Sequence, residues 1–403
     1  MTESVTPLRA QSSLRTWGLR LARLSFNLAF VWLLIEILLR VSFPYLPQDF
    51  QLVIQHVHKT PFTDATLLPP PVWQPDGDYL TITRPVHDYR QIVNGEVAFT
   101  VNTETLWGSR AAFRTRQALV DQHVDGVAVG DSFTFCFTEA QDCWVQQLAA
   151  LTKRNIINLG ITSTGDVSHY RILRNFGLPL KPPLVLWQWY GNDANEDYGL
   201  ARLNEETDVP STTELPPPPP PSWLDKNSAL YAVLKLKFGP QDPLAATLQF
   251  YDPVCAHEQS VKMCFGRSYL WRVFDMSQPN NLDGWQRSQE AFLQGQEIVQ
   301  SYGGTLVVVL VPTKEQVYRE MSEPLLGAEK LALLDEGYRM MLDFCDKAQL
   351  TCMDLLPEFQ RRAQAHEQLY YTTNAHLNPH GNAVLAQLLA DWLDAHPNVF
   401  PQS

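Results

Sequence analysis

The stretch Val127-Ala128-Val129-Gly130-Asp131-Ser132 decides how the rest of the chain reads. A short apolar run ends in a tight Gly-Asp-Ser turn, and the residues after the turn suit the opening of a helix. The segments downstream keep the same rhythm. Residues 143–153 read as a helix, 155–159 as a strand, 166–176 as a helix and 184–190 as a fully apolar strand. Later, 284–301 reads as a helix, 305–311 as a β-branched strand, 331–347 as a helix, 350–355 as a strand and 379–394 as a final amphipathic helix. Strands alternating with helices of this length imply a parallel sheet covered on both faces. In such sheets the ligand site lies beyond the C-terminal strand ends.

Upstream of that core the N-terminus carries a topological signal. Arg9, Arg15, Arg20 and Arg23 precede a mostly apolar run at 24–43, and about 20 such residues suffice to cross a bilayer. The positive-inside rule places residues 1–23 in the cytoplasm and the bulk of the chain outside, in the periplasm or at the cell surface. Glu36 and Arg40 interrupt the run at i, i+4, where they can pair on one helical face. A signal anchor is the leading reading. The alternatives are a cleaved signal peptide, although no small-x-small site follows the stretch 24–35, and a helix lying in the membrane surface.

The chain has 403 residues and a net charge of −12. That balance excludes nucleic acid as a partner, since phosphate binding needs a basic face. The six cysteines fall into three close pairs, Cys136/Cys143, Cys255/Cys264 and Cys345/Cys352, without any C-x-x-C. Spacing of this kind favours local disulfides over a zinc site and suits an oxidising compartment, with free buried thiols as the alternative. Residues 44–120, rich in Pro, Thr, Val and aromatics, read as a β-rich juxtamembrane segment with strands near 79–82 and 96–101. The main domain covers 121–396. It is interrupted at 200–283 by an insertion holding a six-proline run at 216–221, a stiff spacer, and a helix near 228–238. The insertion is either a plain surface excursion or a lid over a site.

Four short blocks carry chemistry. Gly130-Asp131-Ser132 places a serine at a strand end, where nearby backbone N–H groups favour a developing oxyanion. The lipase elbow G-x-S-x-G is absent, because Phe133-Thr134 follows. Asn158-Leu159-Gly160-Ile161-Thr162-Ser163-Thr164-Gly165 supplies small residues through which backbone can approach a substrate oxygen. Gly191-Asn192-Asp193 follows the apolar strand, and an Asn amide there can donate to an oxyanion without carrying charge. Asn374-Ala375-His376-Leu377-Asn378-Pro379-His380-Gly381 places His376 in the loop before the last helix, where an imidazole can serve a serine as base. Each block taken alone also reads as an ordinary turn, loop or cap, and His380 reads as a surface or capping residue.

Their order, Ser, small-residue loop, Asn, His along one α/β pattern, resembles the SGNH/GDSL hydrolase superfamily over residues 124–395 apart from the insertion. The phrase Val311-Pro312-Thr313-Lys314-Glu315-Gln316-Val317-Tyr318 and the N-terminal anchor add a likeness to its membrane-tethered members, some similar to alginate-type O-acetyltransferases. The resemblance implies a flavodoxin-like three-layer α/β/α fold, Ser132 as nucleophile and His376 as general base. It also implies an oxyanion hole from the Ser132 N–H, Asn192 and the Ser163/Gly165 loop. The family's glycine of the second block falls on Ser163, with Gly165 two residues on. Where members usually carry an Asp two or three residues before the His, this chain has Asn374 and Thr373. The expected reaction is acyl transfer from a small or O-acetyl ester, with water or a glycan hydroxyl as acceptor. Neither a metal nor an organic cofactor is implied. A non-catalytic tethered binding domain is the third reading.

Overall fold

Val127 and Val129 pack on one face of a strand and Ala128 on the other, and both faces are buried. This strand sits in a computed structural model that describes residues 10–46, 50, 54, 72–93, 96–211, 222–238, 253–266 and 272–400. Five strands precede it: β1 (Trp73–Asp76), β2 (Leu80–Thr83), β3 (Val86–Val93), β4 (Val97–Thr105) and β5 (Ala112–Phe113). They pair antiparallel, β1 with β2 and β4 with both β3 and β5. Along β4, Val97, Phe99 and Val101 alternate inward and meet Phe135 and Phe137 of the segment that follows Ser132.

Next come β6 (Gly126–Val129), β7 (Ile156–Asn158) and β8 (Leu184–Trp189), then the hairpin β9 (Pro253–Glu258) and β10 (Val261–Gly266), then β11 (Thr305–Leu310) and β12 (Thr351–Asp354). The central sheet is parallel throughout, in the order β12-β11-β8-β6-β7. Counted within the sheet this is the flavodoxin-like order 2-1-3-4-5, so the α/β expectation holds. Ala128, Leu184, Leu186, Val307 and Val309 face one helical layer, which includes Trp144–Thr152 and Pro379–Ala395. Val185, Trp187, Leu306, Val308 and Leu310 face the other, with Pro279–Ser301 and Ala328–Ala348. Strands buried on both faces explain why these stretches read as continuous apolar runs rather than alternations.

The chain divides into two compact units, one of residues 1–70 with 216–243, the other of 71–215 with 244–403. In the first, the helix Ala10–Val41 contains the apolar span Trp17–Val41, long enough to cross a membrane. Glu36 and Arg40 form the i, i+4 pair expected from their spacing. The Glu36 carboxylate also caps the helix Ala229–Phe238, accepting from the Ala229 and Leu230 amides at 2.7 and 2.9 Å. A charge pair inside an apolar helix is thereby turned into a helix cap. The six-proline run at 216–221 lies outside the described residues.

In the second unit the expected elements recur with boundaries moved by a few residues. The helix read over 166–176 runs as Asp166–Ile172 and widens into a π turn at Leu173–Gly177. All three local disulfides are formed: Cys136–Cys143, Cys255–Cys264 across the β9–β10 hairpin, and Cys345–Cys352 from the helix Ala328–Ala348 to β12.

Helix packing around the site is close. A Cβ added at Gly284 would lie 1.7 Å from the Ala194 carbonyl oxygen, in the helix that starts at Asp193. Alanine would gain about 1 kcal/mol of helix propensity there. The clash involves backbone on both sides, and overpacking of that kind costs about 1–3 kcal/mol or more. The clash wins, so Gly284→Ala should lower stability, by about 2 kcal/mol, and thermal unfolding of the purified chain reads this directly. An unchanged melting temperature would show that the two helices can separate freely.

Candidate active site

Gly130 closes β6 where no other residue fits: a Cβ would lie 2.2 Å from Thr134 Oγ1 and 2.4 Å from Gln188 Oε1. Gln188, fully buried in β8, accepts from the Asp131 amide and the Thr134 hydroxyl, both at 3.1 Å. Asp131 caps the short helix Ser132–Phe135 by accepting from the Phe133 amide at 2.8 Å. These bonds fix Ser132, half-buried, at the C-terminal edge of the sheet between β6 and β8. That is the switch point of this strand order, where ligands bind in open α/β sheets.

His376 reaches Ser132 from 244 residues away, its Nε2 2.6 Å from Ser132 Oγ. Its Nδ1 lies 2.6 Å from Asn374 Oδ1. The His376 amide also donates to that Asn374 atom, at 3.0 Å, so the atom is the carbonyl oxygen of the side chain. Nδ1 must therefore carry the proton and Nε2 the lone pair, which is the tautomer that accepts from a serine hydroxyl. The imidazole packs at a tilt against Phe137 and Phe133, with centroids 4.1 and 4.8 Å away. Burial, and after it the Lys314 charge, push its pKa down to about 3.

The loop that presents this pair is gripped from two sides. Glu96, in the turn before β4, accepts from the amides of Thr372, Thr373 and Asn374 at 2.5–3.1 Å and from the Thr373 hydroxyl. Lys314, fully buried, donates to the carbonyls of the same three residues at 3.1–3.2 Å. Burial alone would raise the Glu96 carboxyl, but the Thr373 hydroxyl and the three amides outweigh it and hold it below its usual value. Burial lowers Lys314 to about 8, against the charges of Glu315 and Glu96. The hairpin adds one more bond, from the Cys264 amide to the Thr372 carbonyl at 2.8 Å. Beyond His376, Asn378 caps the final helix by accepting from the Gly381 amide at 2.8 Å, with Pro379 at its first position.

The remaining expected residues lie less simply. Asn192 is half-buried at the end of β8, and its amide donates to Glu196 Oε1 at 3.0 Å, leaving one of its two N–H groups for another acceptor. Ser163 is exposed in the left-handed region, at φ 56°. Gly165 is buried where a Cβ would lie 2.4 Å from both the Asp193 carbonyl and the Asp197 carboxylate. Neither is bonded to the Ser132–His376 pair. His380 is exposed and paired with Glu367 at 2.7 Å, a surface role as read from the sequence. A groove of about 720 Å³ opens between β9–β10 and the helices near Met321 and Gln360, but Ser132, Asn192 and His376 do not line it.

Residues that the sequence reading missed sit close by. Glu96 and Lys314 are two. A third group is a set of acids at and behind the Ser132 turn: Asp131, Asp166, Asp193 and Asp197, all buried, and Glu196, half-buried. Burial raises Asp131 to about 6 and Asp166 to about 8, and with the mutual repulsion of these carboxylates it drives Asp193 and Glu196 far above their usual range.

Residues 270–402, which include Lys314, Asn374 and His376, match the model of the SGNH hydrolase-like domain of the acetyltransferase AlgX. A Pseudomonas putida protein named probable alginate O-acetylase AlgJ is 33% identical over 103 residues, which cover 25% of this chain and 26% of that protein. The aligned stretch thus spans about a quarter of that relative's length. Among solved structures, a catalytic mutant of the acetylxylan esterase Axe2 from Geobacillus stearothermophilus aligns with a TM-score of 0.34 and 10% identity, over 66% of this chain and 92% of that one. The α/β hydrolase LAE5 from the metagenome of Lake Arreo, Spain, aligns with a TM-score of 0.34 and 13% identity, over 66% and 93%. Ser132 and Asn192 fall outside the family match, so the serine end of the site rests on geometry and the histidine end on both geometry and sequence. Over residues 270–402 this chain is similar to the SGNH hydrolase-like domain of the AlgX acetyltransferases, as the sequence blocks implied.

Proposed function

We propose that this chain is a membrane-anchored serine acyl-transfer enzyme that hydrolyses small or O-acetyl esters through a Ser132 acyl-enzyme, with its catalytic unit outside the cytoplasm. The observation that carries the reading is the Ser132–His376–Asn374 chain, with two contacts of 2.6 Å in sequence. His376 Nε2 takes the Ser132 proton as Oγ attacks the acyl carbonyl carbon. The Ser132 N–H and the free Asn192 N–H are the donors assigned to the resulting oxyanion. His376 then returns the proton to the departing alcohol oxygen, leaving the acyl group on Ser132 Oγ. Water, deprotonated by the same imidazole, attacks the acyl carbon; the bond to Ser132 Oγ breaks, His376 returns the proton to Oγ, and the acid leaves. Asn374 orients the ring but brings no negative charge to the imidazolium, and the Lys314 ammonium opposes it.

A second reading, transfer of the acyl group to a glycan hydroxyl, is favoured by the match of residues 270–402 to an acetyltransferase family. The two differ only in the acceptor. Supplying an acetyl ester with and without an oligosaccharide, and looking for acetylated sugar by mass spectrometry, separates them.

A fluorophosphonate probe on the purified full chain should label Ser132 alone, and Ser132→Ala should abolish both labelling and ester turnover with an unchanged fold. Turnover that survives this substitution refutes the mechanism. The pH profile follows from His376. A depressed pKa keeps the base neutral, hence competent, in acid, so kcat/KM should stay nearly flat between pH 7 and 5. An imidazole titrating near 6.5 would instead lose about twenty-fivefold over that range. Asn374→Asp should raise the His376 pKa and stabilise the imidazolium, moving the acid limb upward and increasing the rate at pH 7 by at least about tenfold. A slower variant would mean that another group already supplies the charge.

A further inference from the structure

Five carboxylates lie behind the Ser132 turn, and Asp131, Asp166, Asp193 and Asp197 are all at most 1% exposed. Acids gathered in this way are not in themselves a site. What points to a ligand is His169, which is fully buried on the same helix face as Asp166, three residues on. Its Nε2 lies 3.2 Å from Thr164 Oγ1, and the Thr164 hydroxyl spends its one proton on the Ile161 carbonyl at 2.5 Å. Thr164 can therefore only accept, and His169 Nε2 must carry the ring proton. In the neutral ring Nδ1 is then a bare lone pair. Nδ1 has no hydrogen-bond partner and faces Asp166 Oδ1 at 3.5 Å.

Two electron-rich atoms this close repel each other unless a proton or a metal cation sits between them. Asp166 Oδ1 accepts from Trp187 Nε1 at 2.8 Å, while Oδ2 has no partner. Asp193 Oδ2 accepts from the Tyr190 amide at 2.9 Å, while Oδ1 has none. One ligand atom each from Asp166, His169 and Asp193 lies within 4.8 Å of the others. First-row ions, with ligand distances of about 2.0–2.2 Å, hold ligand atoms about 3–4.4 Å apart, so a small contraction suffices. Among the described residues His169 is the only basic side chain with a nitrogen within 4 Å of these carboxylates.

We propose that Asp166, His169 and Asp193 bind a single divalent cation of the Mn²⁺ or Zn²⁺ class, beneath the turn that carries Ser132. The mixed imidazole and carboxylate set favours such ions over Ca²⁺, which prefers all-oxygen shells. Asp193 also belongs to a second group with Asp131 and Glu196 whose ligand atoms lie equally close. One ion at Asp193 would thus tie the helix Asp166–Ile172 to the start of the helix Asp193–Leu203 and relieve the acids on either side. Its role is to position Asp131 and Asn192, not to touch substrate.

The test is metal content of the full chain purified in detergent without chelator, by inductively coupled plasma mass spectrometry across Mg, Ca, Mn, Fe, Co, Ni, Cu and Zn. The wild type should carry about one equivalent of one transition ion, and its melting temperature should fall by several degrees on chelation and recover with Mn²⁺ or Zn²⁺. D166N and H169Q should each lose most of that metal. Should either variant fail to fold, the stoichiometry and the chelator response of the wild type decide alone. Less than about a tenth of an equivalent in the wild type, with a melting temperature blind to chelator and to added ions, overturns the proposal and leaves the cluster holding protons. Equal metal in wild type and a folded H169Q overturns it as well.

Discussion

A loop without regular structure has to hold an imidazole 2.6 Å from a serine fixed on the far side of the chain, and the grip of Glu96 and Lys314 on residues 372–374 is what makes that possible. Backbone outside helices and strands must still satisfy its polar groups. Here the amides of three consecutive residues go to one carboxylate and their carbonyls to one ammonium. The carboxylate comes from the β-rich lead-in and the ammonium from the start of the short helix Lys314–Val317 that follows β11. The lead-in is therefore part of the framework of the candidate site. Phe99 and Val101 of β4 complete it by packing on Phe135 and Phe137, the latter in contact with the His376 ring.

The same loop explains the glycines and caps around it. Gly381 sits where a Cβ would lie 2.0 Å from the Leu369 carbonyl, so the final helix begins hard against the loop. Asn378 and Pro379 start that helix, and Tyr370 ties the loop to the Pro312 carbonyl at 2.6 Å. The run Asn378-Pro379-His380-Gly381 is thus local folding chemistry, while Asn374 and His376 carry the electrostatics.

Much of this was legible because its signals are local. Buried parallel strands show as apolar runs, paired cysteines as short loops, and the N-terminal apolar helix as a run of apolar residues with a basic flank. Gly130-Asp131-Ser132 and the His376 loop could be placed at strand ends from the strand–helix rhythm alone. Glu96 was not legible, since a lone acid beside β4 is what any turn offers and its partners lie 276 to 278 residues away. Lys314 stood in a phrase noted only for its likeness to relatives. Asp193 stood in the Gly191-Asn192-Asp193 block, read for its Asn alone, and Glu196 and Asp197 carried no reading of their own. Asp193 and Asp197 are buried because the helix Pro279–Ser301 covers them, and Ser288 bonds to Asp197 at 2.7 Å. Nothing within ten residues of an acid announces that a distant helix will cover it.

The charges around Ser132 are arranged unevenly, and the unevenness constrains the proposed chemistry. On the imidazole side Glu96 and Lys314 offset each other across the loop, and Asn374 is neutral. An imidazolium there is stabilised only by dipoles. On the oxyanion side the negative charge would develop near Asn192, whose amide already serves Glu196 and whose neighbour Asp193 is fully buried. Unit charges 5 Å apart at an effective dielectric of 20 interact by about 3 kcal/mol, which is more than twofold the energy of a tenfold rate change. Ionised acids behind the turn would therefore cancel what one oxyanion donor contributes. The acyl-transfer reading requires that cluster to be neutralised, by protons on the carboxylates or by a cation among them. Neutralising the acids is thus as much a condition of Ser132 reactivity as the hydrogen bond to His376.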